Sequence, residues 1–230
     1  MKTDINPISG GANMARRSFL RYAGAGAAAV AVLGATACHK DRVMVDPVNG
    51  TDIGSGDIGI LNYAYALEQL EAAFYTQVVA TPYSGITNLE LTYMTDIRDH
   101  EVIHREFFKA ALGTSAIKQL TPDFSKINFS SRDNVLATAK AFEDLGVQAY
   151  DGAGYLIQSA TYLTIAGKIV SVEARHAALI ANLINGGSFV SSDQVDANGL
   201  NGSKAIADVL PIANAFLKTK VSASSFNYTI

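Results

Sequence analysis

Apolar residues set the organisation of this chain. From residue 57 onward they recur at helical spacing, and no strand-like alternation of any length competes. Four segments stand out. The first runs from about 58 to 80, with Asp57 as its expected N-cap, and breaks at Pro82, Ser84 and Gly85. The second covers about 89–112, capped by Thr87 or Asn88 and stopped by Gly113. Residues 114–130 carry Pro122 and little periodicity, so they read as a connection. The third segment starts after Ser130 or Ser131 and covers about 132–158; the fourth covers about 161–185 and ends at Gly186-Gly187. Beyond it the pattern is irregular, with a short helix expected near 203–218, interrupted by Pro211. Four long helices with short outer loops and one long central connection predict an all-α, four-helix bundle with a crossover between helices 2 and 3. The bundle would span 57–186, with 187–230 as a C-terminal extension.

The N-terminus follows a different logic. Residues 15–38 read ARRSFLRYAGAGAAAVAVLGATAC: paired Arg16 and Arg17, then Ser-Phe-Leu, then a small apolar run too short to anchor in a bilayer. This resembles a twin-arginine export signal over residues 1–37, which implies an exported protein of the periplasm or cell envelope. Ala35-Thr36-Ala37 fits cleavage to a soluble product. Ala37-Cys38 fits a lipoprotein ending, with Cys38 lipidated as the membrane anchor. Cys38 is the single cysteine, so no intramolecular disulfide forms. Residues 38–56 read as a tether.

Removing the signal takes four cations and one anion, and the formal charge moves from −3 to −6. A mildly acidic chain with no basic run has no electrostatic reason to bind nucleic acid.

The chemistry lies in charged residues on apolar faces. In the first helix, Asn62, Gln69 and Thr76 recur every seven residues and mark the expected solvent stripe. Glu68 and Glu71 fall roughly 120–180° from it, among Leu61, Ala64, Ala72 and Tyr75, unless the helix rotates to let Glu71 reach the rim. A buried ionised carboxylate is costly unless paired or bound to a cation. The second helix carries Glu101-Val-Ile-His104, on one face with Ile97 and Phe108. The fourth repeats it as Glu173-Ala-Arg-His176, with Ile169 and Ile180. The third supplies Glu143, beside an expected exposed edge of Lys140, Asp144 and Asp151. The halves form an internal repeat: Tyr75 follows Glu68 by seven and Tyr150 follows Glu143 by seven. Interface packing is the expected role of both tyrosines, with redox activity as the alternative. Gly146, Gly152 and Gly154 weaken the third helix, which close helix contact would explain.

An inward Glu on each of two helices and Glu-x-x-His on the other two is the constellation of ferritin-like di-iron and di-manganese proteins. Over about 57–186 the chain resembles that superfamily, with LEQLEAAFY, FEDLGVQAY and VEARHA carrying the similarity. It looks closest to the exported, often desiccation-associated branch. The resemblance implies two ions of iron or manganese, with Glu101 and Glu173 bridging them. Glu68 and His104 would complete one ion, Glu143 and His176 the other. It also implies reaction with oxygen or peroxide, or iron oxidation, in stress protection. The alternatives are a metal-binding stress protein with little turnover and a partner-binding bundle with a vestigial site. Homo-oligomers are compatible with it, although a closed storage shell suits a lipid anchor poorly. Many relatives carry Asp immediately before each Glu-x-x-His to orient a histidine. Here those positions are His100 and Val172, with Asp99 as the nearest substitute.

Read from His100, the second helix also matches the His-Glu-x-x-His pattern of zinc peptidases. That chemistry needs a third protein ligand. None follows nearby, and the reading leaves Glu68, Glu143 and the second Glu-x-x-His unexplained. His100 is then expected outside the ligand set, behind it or at its rim.

Overall fold

The computed structural model describes residues 50–190 and 193–230. Residues 1–37, read above as an export signal, and residues 38–49 of the expected tether, with Cys38, lie outside the described residues. The chain order is β1 (Thr51–Asp52), α1 (Gly56–Ala80), α2 (Asn88–Leu112), α3 (Arg132–Ala153), α4 (Ala160–Ile184), α5 (Ile206–Asn214) and β2 (Val221–Ser222). Helices α1 and α2 pack as one antiparallel pair, α3 and α4 as the other, and α1 lies against α3. The crossover joins α2 to α3, as the periodicity requires.

Local sequence explains the boundaries. Thr87 and Glu90 form a capping box: the Glu90 N–H donates to Thr87 Oγ1 at 3.1 Å and the Thr87 N–H to Glu90 Oε2 at 3.3 Å. The same Glu90 accepts from Arg132 Nε at 2.8 Å, tying the start of α2 to the start of α3. Ser131 caps α3 and Ser159 caps α4. Gly113, at φ 54°, ends α2. The third helix closes earlier than its apolar pattern, at Ala153, through a tight turn over Gly154–Leu156. The first helix begins one residue after Ser55, so Asp57 is not its cap. Asp57 instead accepts from the Gln158 and Ser159 N–H groups at 2.8 and 2.9 Å, holding the chain where it enters α4.

The expected solvent stripe of α1 is a correction. Thr76 is exposed, but Asn62 and Gln69 are buried. The crossover and the segment before α1 cover them. Asn62 Nδ2 donates to the carbonyls of Ile53 and Ser115, its Oδ1 accepts from Ile117 N–H at 2.9 Å, and Gln69 Oε1 accepts from Leu120 N–H at 2.8 Å. Irregular backbone has no ladder of its own, so these amides supply the partners it needs when buried. The aromatic core continues the same cover: Phe124 and Phe129 of the crossover pack on Phe74, and Phe142 packs edge-on to Phe216. The edge expected at Lys140, Asp144 and Asp151 is likewise only partly open. Asp151 is exposed, but Asp144 is buried and paired with Lys140 one turn earlier.

The C-terminal residues close the domain. Strand β2 pairs in parallel with β1, Thr51 opposite Val221. The crossover exchanges backbone bonds with the end of α5: Asp123 N–H to Phe216 carbonyl at 2.7 Å, Lys218 N–H to Thr121 carbonyl at 2.8 Å. Pro211 lies inside α5 and does not interrupt it. Residue 204 lies directly on α3, where a Cβ on Gly152 would stand 1.8 Å from the Lys204 carbonyl oxygen. The close contact expected at Gly152 is therefore with the extension, not with a helix. Gly152→Ala improves helix propensity by about 1 kcal/mol but forces that backbone apart, at a cost of about 1–3 kcal/mol or more. Urea unfolding should show a net destabilisation, and an unchanged midpoint would refute the contact.

Candidate metal centre

Helix geometry brings six residues to the middle of the bundle. Glu68 sits on α1, Glu101 and His104 on α2, Glu143 on α3, Glu173 and His176 on α4. None is more than 6% exposed. In α2 and α4 the i, i+3 spacing sets carboxylate and imidazole on one face, flanked by buried Ile97 and Phe108 or by Ile169 and Ile180.

Their atoms sort into two groups of four with pseudo-twofold symmetry. His104 Nδ1 lies 2.8 Å from Glu173 Oε1, 3.4 Å from Glu68 Oε2 and 3.9 Å from Glu101 Oε2. His176 Nδ1 lies 2.9 Å from Glu101 Oε1, 3.4 Å from Glu143 Oε2 and 3.4 Å from Glu173 Oε2. Glu101 and Glu173 give one oxygen to each group. Within each group the four donor atoms lie within 4.8 Å of one another.

These atoms are close but make no well-aligned hydrogen bonds. Among the described residues, eleven buried side-chain polar atoms lack a hydrogen-bond partner, and eight are the donors just named. Orphaned buried polar atoms are rare in native proteins. Eight of them converging on two points form the environment of a cation, and carboxylate oxygen with imidazole nitrogen suits iron or manganese.

The remaining oxygens of the outer glutamates are held by tyrosines, crosswise. Tyr75 donates to Glu143 Oε1 at 2.5 Å, and Tyr150 donates to Glu68 Oε1. The seven-residue spacing showed which tyrosines repeat, but each serves the glutamate of the other half. Burial, then the adjacent carboxylate, pushes both phenols well above their ordinary range, so both remain donors.

The electrostatics show how the cluster is held without a cation. Burial, then the neighbouring Glu173 charge, pushes Glu101 up to about 8. Burial also acts to raise Glu173, but the two histidines against it outweigh burial and hold it down to about 2. Burial works against both imidazolium forms. The carboxylates, led by Glu68 for His104 and Glu143 for His176, nevertheless raise both histidines well above their usual value. Protons on the imidazoles thus offset part of the carboxylate charge. Glu71 is a further buried carboxyl, raised by burial and then by Glu101, Glu143, Glu173 and Glu68. The helix does not rotate it to the rim. It faces Gly146, where a Cβ would stand 3.2 Å from Glu71 Oε1, which explains the glycine at that position of α3.

His100 joins neither group. Its Nδ1 lies 2.9 Å from His176 Nε2, and the two rings are near-parallel at 5.1 Å. His100 and His104 therefore do not share a centre, as a peptidase zinc site would require. Asp99 does not substitute in orienting a histidine; it is exposed and pairs with Arg98 at 2.8 Å.

A family model described as the ferritin-like domain matches residues 56–186. The chain belongs to the ferritin-like family. That match covers all four bundle helices and the connections between them, and it contains both Glu/His groups of this ferritin-like bundle. No curated protein matches the chain.

An apolar cavity of about 30 Å³ lies one layer from the centre, lined by Leu61, Ala64, Leu67, Phe108 and Tyr150 among others. Tyr150 connects it to Glu68. It is large enough for a molecule or two the size of water.

Proposed function

We propose that this is an exported ferritin-like protein holding two ions of iron or manganese, which reacts with oxygen or peroxide and so oxidises metal under stress. One observation carries the reading: eight orphaned donor atoms from six buried residues fall into two groups that share two carboxylates. Glu101 and Glu173 would each give an oxygen to both ions; Glu68 and His104 would complete one position, Glu143 and His176 the other. Bound there, the metal pair supplies one-electron redox steps and open coordination positions for the oxidant. The chain supplies the rest. Tyr75 and Tyr150 each hold one oxygen of an outer glutamate, which leaves the other beside the histidine Nδ1 of its group. Both histidines present Nδ1 inward. The apolar pocket beside Tyr150 suits a small nonpolar oxidant such as dioxygen. The twin-arginine pattern at Arg16-Arg17 supports export, and Cys38 supports a lipid anchor at the cell envelope.

Elemental analysis of the chain purified without chelator tests the reading. Two iron or manganese ions per chain are expected, and oxygen uptake when oxygen is admitted to the chain after anaerobic ferrous loading. A single zinc per chain, or none of these metals after loading, would overturn it.

A further inference from the structure

The two halves of the centre repeat almost residue for residue. Glu68 answers Glu143, Glu101 answers Glu173, His104 answers His176 and Tyr75 answers Tyr150. The repeat breaks at the residue before each Glu-x-x-His, which is His100 in α2 and Val172 in α4. His100 reaches across to the opposite half and meets His176 Nε2 at 2.9 Å. Among the described residues no equivalent side-chain acceptor meets His104, and Val172 has none to offer.

The bond fixes a tautomer. His176 Nδ1 faces Glu101, Glu143 and Glu173, so metal binding through Nδ1 requires the proton to sit on Nε2. That N–H then donates to His100 Nδ1, and His100 keeps its own proton on Nε2. The near-parallel rings hold the direction of the His176 lone pair. Outer partners of this kind raise ligand basicity, and losing one typically costs about 10–100-fold in metal affinity. His104 has a ligand set of the same composition but no such partner among the described residues.

Resting on the two-metal reading above, we propose that His100 is a positioning residue that makes the centre unequal: the Glu143–His176 position binds its ion more tightly and fills first, and the Glu68–His104 position fills second. Of the two, the second lies nearer the apolar cavity, through the Tyr150–Glu68 bond. The ion taken up last and released first is therefore the one beside the route for a small oxidant.

Cobalt(II) titration of the chain lacking residues 1–37 tests this without any turnover. The sequence holds only four histidines, so a histidine-labelled sample gives few, assignable resonances. With less than one equivalent of cobalt, the His176 signals should broaden before those of His104. Calorimetry should resolve two constants, the first tighter by about 10–100-fold. His100→Val, which copies the other half, should weaken the tighter constant by about that factor, leave the weaker one in place and remove the order of broadening. His100→Asn, which keeps an acceptor oxygen, should restore much of it. His100 is exposed at the surface of α2, so neither variant opens a core cavity. Equal broadening in the wild type, or two constants unmoved in His100→Val, would overturn the inequality while leaving two bound ions. Failure to bind cobalt at all would overturn the metal reading itself.

Discussion

Glu173→Ala is expected to empty both metal positions, whereas Glu68→Ala empties one. The difference follows from where each carboxylate sends its oxygens. Glu173 Oε1 lies at 2.8 Å from His104 and its Oε2 at 3.4 Å from His176, so its removal takes a donor from each group. Glu68 sends one oxygen to the His104 group and gives the other to Tyr150. Loss of a bridging carboxylate should weaken both ions by more than about 100-fold, beyond the range for an outer partner. Metal per chain, measured after gel filtration at micromolar protein, should fall from two to near zero in Glu173→Ala and to one in Glu68→Ala. Misfolding is not an easy escape from a negative result. Each variant deletes one member of a buried acidic cluster, which relieves repulsion in the metal-free state; in Glu173→Ala the lost pairing with His104 and His176 offsets part of that relief. Thermal unfolding with chelator should find both variants folded. Retention of one ion by Glu173→Ala would refute the bridging role, and loss of both by Glu68→Ala would show that the positions do not fill separately.

The residues of that cluster were readable in the sequence because the physics selecting them is local. A glutamate among apolar helix positions violates the ordinary burial rule, and two Glu-x-x-His pairs point one way on any helix with 3.6 residues per turn. The helices were readable for the same reason, down to Thr87, Ser131 and Gly113 at their ends. What escaped depends on contacts distant in sequence. Asn62 and Gln69 look like a solvent stripe, and periodicity cannot tell an amide facing water from one pairing with a buried crossover. Asp57 looks like an N-cap but serves a loop 101 residues away. The repeat marked Tyr75 and Tyr150 without showing that each crosses to the other half. Glu71 was ambiguous because its counterpart, Gly146, lies on a different helix. The role of His100 needed the position of His176, since nothing adjacent in sequence distinguishes a surface histidine from one bonded to a buried partner.

The metal-free chain should be most stable on the acid side of neutrality, and the stabilisation by metal should widen as pH rises. Glu101 is raised from its ordinary 4.5 to about 8, so the folded state holds a proton that the unfolded chain releases. Stability from that group falls as pH climbs from about 4.5 through 8. Glu71 is displaced in the same direction and adds to the fall. His104 and His176 are also raised, so their contribution is complete below 6.5 and is lost as pH rises above it. Glu173 alone runs the other way. Held down to about 2, it contributes stability above 4.5 that disappears as pH drops toward 2. Together these place the maximum for this centre near pH 4.5, with a decline on the order of a few kcal/mol by pH 8. Bound cations replace the shared protons and remove the repulsion, and ligand atoms free of protons at higher pH bind them better. Thermal unfolding from pH 4.5 to 8.5, with chelator and with saturating manganese, should show the metal-free midpoint falling across that range and the loaded midpoint nearly level. Glu101→Gln should flatten the metal-free curve between 4.5 and 8, because the amide keeps the shape of the protonated acid and cannot ionise. A metal-free curve that rises across the same window would mean that the buried carboxylates are not the dominant cost of this core.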